Sequence, residues 1–355
     1  MEFMELDEQE FAKFAEHCPV KNFMQSIYMY KRYVKTGKEA YLVGVKAGRK
    51  IVAAALIFKM GTRWGRKIFS APRGILMDYR AKNRLEILQT FTRGARKFLR
   101  KKEGLSLQIS PDIVSRERDT DGQLIEGGEN NLPIKQMLQK LGYKYLGEYE
   151  QAKWTYVLPL RGREKQELLA SFRKGHKLSI RYAPKRYGVK IRKLKYDELP
   201  LLYELVGEAE KKHDFTGREL EYYQEMYRAF GTKVQFLVAE MPDPQTGKIV
   251  AVAGSMFLLY GDEVIYLMSG AREEYKKYGG PHFMQWKMIQ YAMSHGFERY
   301  NFWGTNVKPG NGVYEFKKGF RGQVEELLGT FILPIGVKGR AYIMSKKPAE
   351  RRRLQ

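Results

Sequence analysis

The stretch "GVYEFKKGF", residues 312 to 320, sets two lysines side by side, Lys317 and Lys318, between glycines and after the aromatic pair Tyr314 and Phe316. Read as a strand, neighbouring side chains point to opposite faces, so one ammonium group can meet water while the other is aimed inward. By that alternation Phe316 and Lys318 share one face and Lys317 takes the other. A cation fixed in a partly dry site stabilises charge developing on oxygen, which is what an oxyanion donor does in acyl transfer.

Few other catalytic arrangements are present. The five histidines, His17, His176, His213, His282 and His295, lack metal-ligand spacing, and there is no HExxH, GxSxG or P-loop, so no metal site is expected. The segment "KKYGGPHFMQ" (276 to 285) is a glycine turn leading into a helix, where an acetyltransferase fold holds a cofactor pyrophosphate on backbone N–H groups. It lacks the fuller Gly-x-Gly spacing, and a plain helix-start turn is the competing reading. Residues 171 to 195 carry ten Lys or Arg and no acid. Lys174, Lys177 and Arg181 fall at helical spacing there, on a helix that Pro184 is expected to end or kink. Such a face either holds phosphates or is simply a solvated basic surface.

The elements that position these residues must come from a chain of 355 residues, long enough for two domains. Lys and Arg number 64 against 40 acids, a net +24, and so basic a surface suits phosphate-bearing partners: nucleic acid, a nucleotide-linked substrate or an anionic membrane. The single cysteine, Cys18, excludes an internal disulfide and a thiolate cluster, which fits a cytosolic setting. The start of the chain reads unlike an export signal, and the longest apolar run, "IVAAALIF", is too short to span a bilayer.

An internal repeat organises the chain. "YLVGVKAGRKIVAAALIF" (41 to 58) and "FLVAEMPDPQTGKIVAVAGSMF" (236 to 257) share strand, Gly-containing turn and strand. Each is followed by another strand ("KIFSAPRGILM"; "VIYLMSGAR"), a helical pattern, and a closing strand ("LSLQIS"; "RYNFWG"). The fold class expected is α/β with mixed sheets, as two tandem domains: residues 1–150 with 321–355, and residues 151–320.

The repeat together with "NFMQSIYMYK", "APRGILMDY", "HDFTGRELEYYQEM", "NFWG" and "VYEFKKGF" resembles the Fem family of peptidoglycan bridge-forming aminoacyltransferases over nearly the whole chain. It is similar to the shorter, FemX-type members that lack a coiled-coil arm. The resemblance implies two GNAT-like domains and transfer of an amino acid from aminoacyl-tRNA to a stem-peptide amine, usually a lysine side chain, of a UDP-linked or lipid-linked precursor. It further implies a monomer without cofactor, cytoplasmic and compatible with contact at the inner face of the membrane. Carried over residue by residue, it implies a catalytic pair Phe316 and Lys317 and precursor-binding roles for Lys31, Arg73, Arg218, Tyr222 and Tyr266, while the basic face of Lys174, Lys177 and Arg181 is the candidate, from its charge and spacing, for phosphate or tRNA binding. Two positions depart from the family pattern. Ser110 stands where an Asp is expected, with Asp112 nearby, and Met268 stands for a tyrosine that Tyr266 replaces if both lie on one strand face. The competing activities are a coenzyme A-dependent N-acyltransferase and a non-catalytic basic RNA- or tRNA-binding protein.

Overall fold

The computed structural model describes residues 1–147, 152–213, 218–308 and 310–345, with the side chains of 209–213 left out. The chain divides into two compact units: Met1–Glu117 with Leu124–Lys153 and Glu325–Gln355, and Arg118–Gln123 with Trp154–Val324. The segment Arg118–Gln123, expected with the first domain, belongs to the second. Its Thr120 hydroxyl meets the Tyr156 hydroxyl at 2.7 Å, its Thr120 carbonyl accepts from the Tyr314 hydroxyl at 3.1 Å, and Asp121 pairs with Lys318.

In the first unit the strands run, side by side, Glu2–Glu5, Ala40–Ala47, Lys50–Arg63, Arg66–Arg73, Gly104–Pro111, Thr330–Pro334 and Lys144–Gly147. In the second they run Lys190–Lys193, Val234–Pro242, Ile249–Tyr260, Glu263–Ala271, Arg299–Thr305 and Trp154–Pro159. Both units carry three antiparallel strands, then a helix (Arg84–Lys101; Gly280–Ser294), then a strand lying parallel to the third. The repeat is therefore one of topology as well as of sequence. The last neighbour differs in origin, because Thr330–Pro334 returns from the far end of the chain to pair antiparallel with Gly104–Pro111.

The parallel pair separates the two units in kind. In the first it pairs along its whole length from Lys67↔Gly104 to Arg73↔Pro111, with one register shift between Lys67 and Ile68. In the second only Glu263↔Arg299, Val264↔Tyr300 and Ile265↔Asn301 pair, after which the strands splay. A bulge between Asn301 and Gly304 on one strand, and another at Leu267 on the other, accompany that opening. Trp303 sits in the bulge at φ 62°, a left-handed conformation that costs a bulky residue on the order of 1 kcal/mol and is held by its N–H on the Asn301 side chain at 2.8 Å.

Each unit has its own apolar core, built from the alternating inner faces of its strands and one stripe of its helices. Helix Gly280–Ser294 buries Phe283, Met284, Trp286, Met288, Ile289 and Ala292, each of the larger ones contributing about 1.5–3 kcal/mol by burial. Helix Leu199–His213 lies directly against strand Glu263–Ala271: a Cβ on Gly270 would stand 1.9 Å from the Leu205 carbonyl oxygen, so only glycine fits there. Pro184 lies inside helix Lys174–Tyr187, which runs on to a left-handed Gly188 cap at φ 65°. One missing N–H so near the helix end does not stop it.

Candidate active site

The splay opens a cavity of about 600 Å³ in the second unit, lined by Tyr266–Ala271 on one strand, Phe302–Gly304 on the other, and the Gly312, Val313, Phe316, Lys317 face of a short helix. That helix is a correction to the strand read from sequence. Residues Gly312–Lys318 form a helix because the Asn311 side chain caps the N–H of Tyr314 at 2.9 Å, fixing the first turn. A strand's alternation then gives way to about 100° between neighbours, so Phe316 and Lys317 both face the cavity while Lys318 turns away.

Lys317 is 5 % exposed, and its Nζ donates to the Gly304 carbonyl, which the bulge turns toward it. Burial among Phe302, Phe316 and their neighbours pulls its pKa from 10.5 down to about 7, since the apolar wall disfavours the charged form. Lys318 behaves differently. It pairs with Asp121, lies over the Tyr314 ring, and lines a separate cavity of about 380 Å³ with Arg118 and Trp154. Lys318→Met is therefore expected to lower stability by no more than about 1 kcal/mol, because Asp121 is 49 % exposed, and to leave activity near wild type. Thermal unfolding of the variant beside an activity assay checks both halves.

Sequence reasoning missed two histidines. His176 Nε2 donates to the Phe316 carbonyl at 2.8 Å, and its ring meets His282 edge-on at 4.5 Å. Gly319 admits that ring, since a Cβ there would come within 2.0 Å of it. Burial lowers the pKa of both, His282 to about 3, and the buried Nδ1 of His282 has no partner. His282 lines the cavity 4.9 Å from the Phe316 ring. The two histidines lie far apart in sequence, so no local spacing announces the pair; only the position of His282 at the start of a helix is legible.

Tyr266 also lines the cavity. Its ring stacks on Phe257 at 5.6 Å, its hydroxyl donates to the Ser269 hydroxyl, and burial raises its pKa. The bulge at Leu267 breaks the two-residue alternation assumed for Tyr266 and Met268, although both residues line the space. The rim carries Glu208, Glu273 and Glu274, with Glu208 paired to Arg272 and Glu273 to Lys276.

The remaining candidates lie elsewhere. Arg218, exposed and 5.3 Å over the Tyr222 ring, is outside the cavity lining, as is Tyr222. Lys174 and Arg181 are exposed on their helix, while Lys177 donates to the Ala170 carbonyl at 2.9 Å. Lys31 belongs to the first unit and pairs at the surface with Glu8 at 3.6 Å. Arg73, also in the first unit, is 1 % exposed, pairs with Asp112 at 3.4 Å and donates to the Ala152 carbonyl at 3.2 Å. Asp112 accepts from Asn22 as well, at 3.0 Å, and Ser110 bonds to the Thr330 hydroxyl at 3.0 Å. Asp112 is thus the counter-ion of Arg73.

The glycine turn is explained by packing. Gly279, at φ 77°, caps a left-handed turn, and a Cβ on it would lie 2.9 Å from the Ser179 carbonyl oxygen. Pro281, at the helix start, removes one of the N–H groups a pyrophosphate would use. Among the described residues no group of His, Cys, Asp or Glu could hold a metal ion, and no helix is long and apolar enough to cross a membrane.

The fold has known counterparts. The crystal structure of FemX superposes with a TM-score of 0.82 at 18% identity, covering 98% of this chain and all of the other. A tandem GNAT protein from the clavulanic acid biosynthesis pathway gives 0.58 at 13% identity, covering 94% and 98%. By sequence, the chain is 26% identical to Aminoacyltransferase FemB and 25% to Aminoacyltransferase FemA, both of Staphylococcus epidermidis, over 94% of its own length and 95% or 96% of theirs. Those alignments extend to 406 positions against 355 residues, so the relatives carry residues this chain lacks. The model described as the FemAB family matches residues 6–245 and 242–346, two stretches that meet at the turn after strand Val234–Pro242. With nearly its whole length matched, the chain belongs to the FemAB family, that of the named aminoacyltransferases FemA and FemB.

Proposed function

We propose that this chain transfers an aminoacyl group from aminoacyl-tRNA to an amine, usually a lysine side chain, of a UDP-linked or lipid-linked peptidoglycan stem peptide. The observation that carries this reading is a single one: the Lys317 Nζ, buried at the wall of a mostly apolar cavity.

An aminoacyl ester is already activated. Attack by a neutral amine forms the C–N bond, places negative charge on the former carbonyl oxygen, and then breaks the bond to the ribose oxygen, which takes up a proton as the amine loses one. Lys317 in its ammonium form stabilises that oxygen and the departing hydroxyl, an effect worth a few kcal/mol for donors of this kind. The unpartnered Nδ1 of His282 and the Tyr266 hydroxyl are the neighbouring polar groups able to orient the reactants. Pro281 leaves the glycine turn one backbone N–H short for a cofactor pyrophosphate, which speaks for this reaction over coenzyme A-dependent acylation. Lys174 and Arg181 would hold tRNA phosphates, and Arg218 and Tyr222 the precursor.

The test incubates the chain with a set of charged tRNAs and each precursor form and measures the stem-peptide mass. A gain of one aminoacyl residue is expected with at least one pair. An unchanged mass with every donor, alongside salt-sensitive tRNA binding, would instead support a non-catalytic binder.

A further inference from the structure

We propose that the tip of the hairpin formed by Lys50–Arg63 and Arg66–Arg73, together with the outer face of helix Gly336–Ser345, docks the chain on an anionic phospholipid bilayer. Both elements belong to the first unit and touch, the Trp64 and Tyr342 rings meeting edge-on at 5.6 Å.

The hairpin closes on Trp64 and Gly65 between the register pair Arg63↔Arg66. Both turn residues have positive φ, 51° and 67°, as in a tight turn that favours Asn followed by Gly. A tryptophan in the first position is strained by on the order of 1–2 kcal/mol, and at 51 % exposure burial within the chain does little to offset that. Asn would fit better, so the ring serves something outside the chain. On the helix, Val337, Ala341 and Met344 fall at i, i+4 and i+7, forming one stripe. All three are exposed, Val337 by 80 % and Met344 by 72 %. The stripe cannot roll inward, because a Cβ on the buried Gly339 would stand 2.3 Å from the Leu105 carbonyl oxygen and so fixes which face packs.

The charge around this apolar surface has one sign. Arg63 and Arg66 flank the tryptophan, Lys338 and Arg340 flank the stripe, and neither 59–68 nor 335–345 contains an acid. An aromatic tip and an aliphatic stripe bordered by cations match a headgroup layer, where Trp is at home and each Lys or Arg contributes about 1 kcal/mol against anionic lipid. A second copy would bring the same cations face to face. Nucleic acid would not call for Val and Met.

The docking does not depend on the transfer reaction and is read without it. The intact chain is floated with vesicles of mixed phosphatidylglycerol and phosphatidylcholine, and with phosphatidylcholine alone. Trp64→Asn/Val337→Ser/Met344→Ser keeps every cation and relieves the turn, so it should unfold at or above the wild-type temperature. It is expected to bind the anionic vesicles at least tenfold more weakly. Arg63→Gln/Arg66→Gln/Lys338→Gln/Arg340→Gln should lose binding comparably. Equal binding by the first variant would overturn the proposal, since only the general attraction of a +24 chain would then be at work. So would no wild-type binding to anionic vesicles, or a wild-type dimer that the first variant makes monomeric, which would assign the surface to a second copy.

Discussion

Lys317→Met is expected to fold normally and to lose roughly a hundred- to a thousand-fold in kcat, the loss found when one oxyanion donor is removed. Methionine follows the lysine side chain as far as Cε and suits an apolar wall, so the substitution removes the Nζ, its bond to the Gly304 carbonyl and its charge, with little change in volume. KM should change less than kcat, because the ammonium matters most once charge has developed on oxygen. A pH profile adds an independent reading. With the Lys317 pKa near 7, the ammonium is lost as pH rises through that value, whereas the attacking amine must be neutral and gains from the same rise. Wild-type kcat should thus show a descending limb starting near neutral pH that is missing from the residual activity of Lys317→Met. Loss of KM alone, or a wild-type rate that only climbs with pH, would remove the ammonium from this role. The second outcome would make the neutral amine of Lys317 the acting group, as a base.

The parts of the molecule legible in sequence are those set by local pattern. Alternation and turn residues showed the hairpins and the repeated strand–helix–strand order, because each copy buries one face of every strand and one stripe of its helix. Lys317 was legible as chemistry for a reason that proved wrong in detail: strand alternation pointed it inward, whereas a helix capped by Asn311 does so. Six residues between glycines satisfy both periodicities, and the cap decides only once Asn311 has turned back onto Tyr314. The cavity itself was not legible. It exists because a parallel pair stops pairing after Ile265↔Asn301, and the bulge that accompanies the splay depends on Trp303 accepting a left-handed backbone, which no propensity announces. The His176–His282 contact is likewise long-range and needs Gly319 to make room.

The second large effect is on stability, and its direction runs against the usual one for a basic group. A lysine that gains a partner on folding has a raised pKa and stabilises the fold at low pH. Lys317 has a lowered one, about 7 against 10.5, so between those values the unfolded chain binds more protons than the folded chain. Stability from this group therefore rises with pH across that window. Below pH 7 the chain bears the full cost of burying a charge whose only hydrogen-bond partner shown is the Gly304 carbonyl; above 10.5 it bears none. Lys317→Met, neutral at every pH, should accordingly be more stable than wild type at pH 6–7 by up to a few kcal/mol, with the difference shrinking toward pH 10. The comparison is the difference between the two unfolding temperatures at each pH, which cancels the titration of every other group. A difference that stays flat from pH 6 to 10 would mean that Lys317 keeps an ordinary pKa, and with it would go the desolvation on which its catalytic role rests. If activity falls while stability rises in the same variant, the buried lysine is retained for function at the expense of the fold, the relation expected where a site holds a charge that packing alone would exclude.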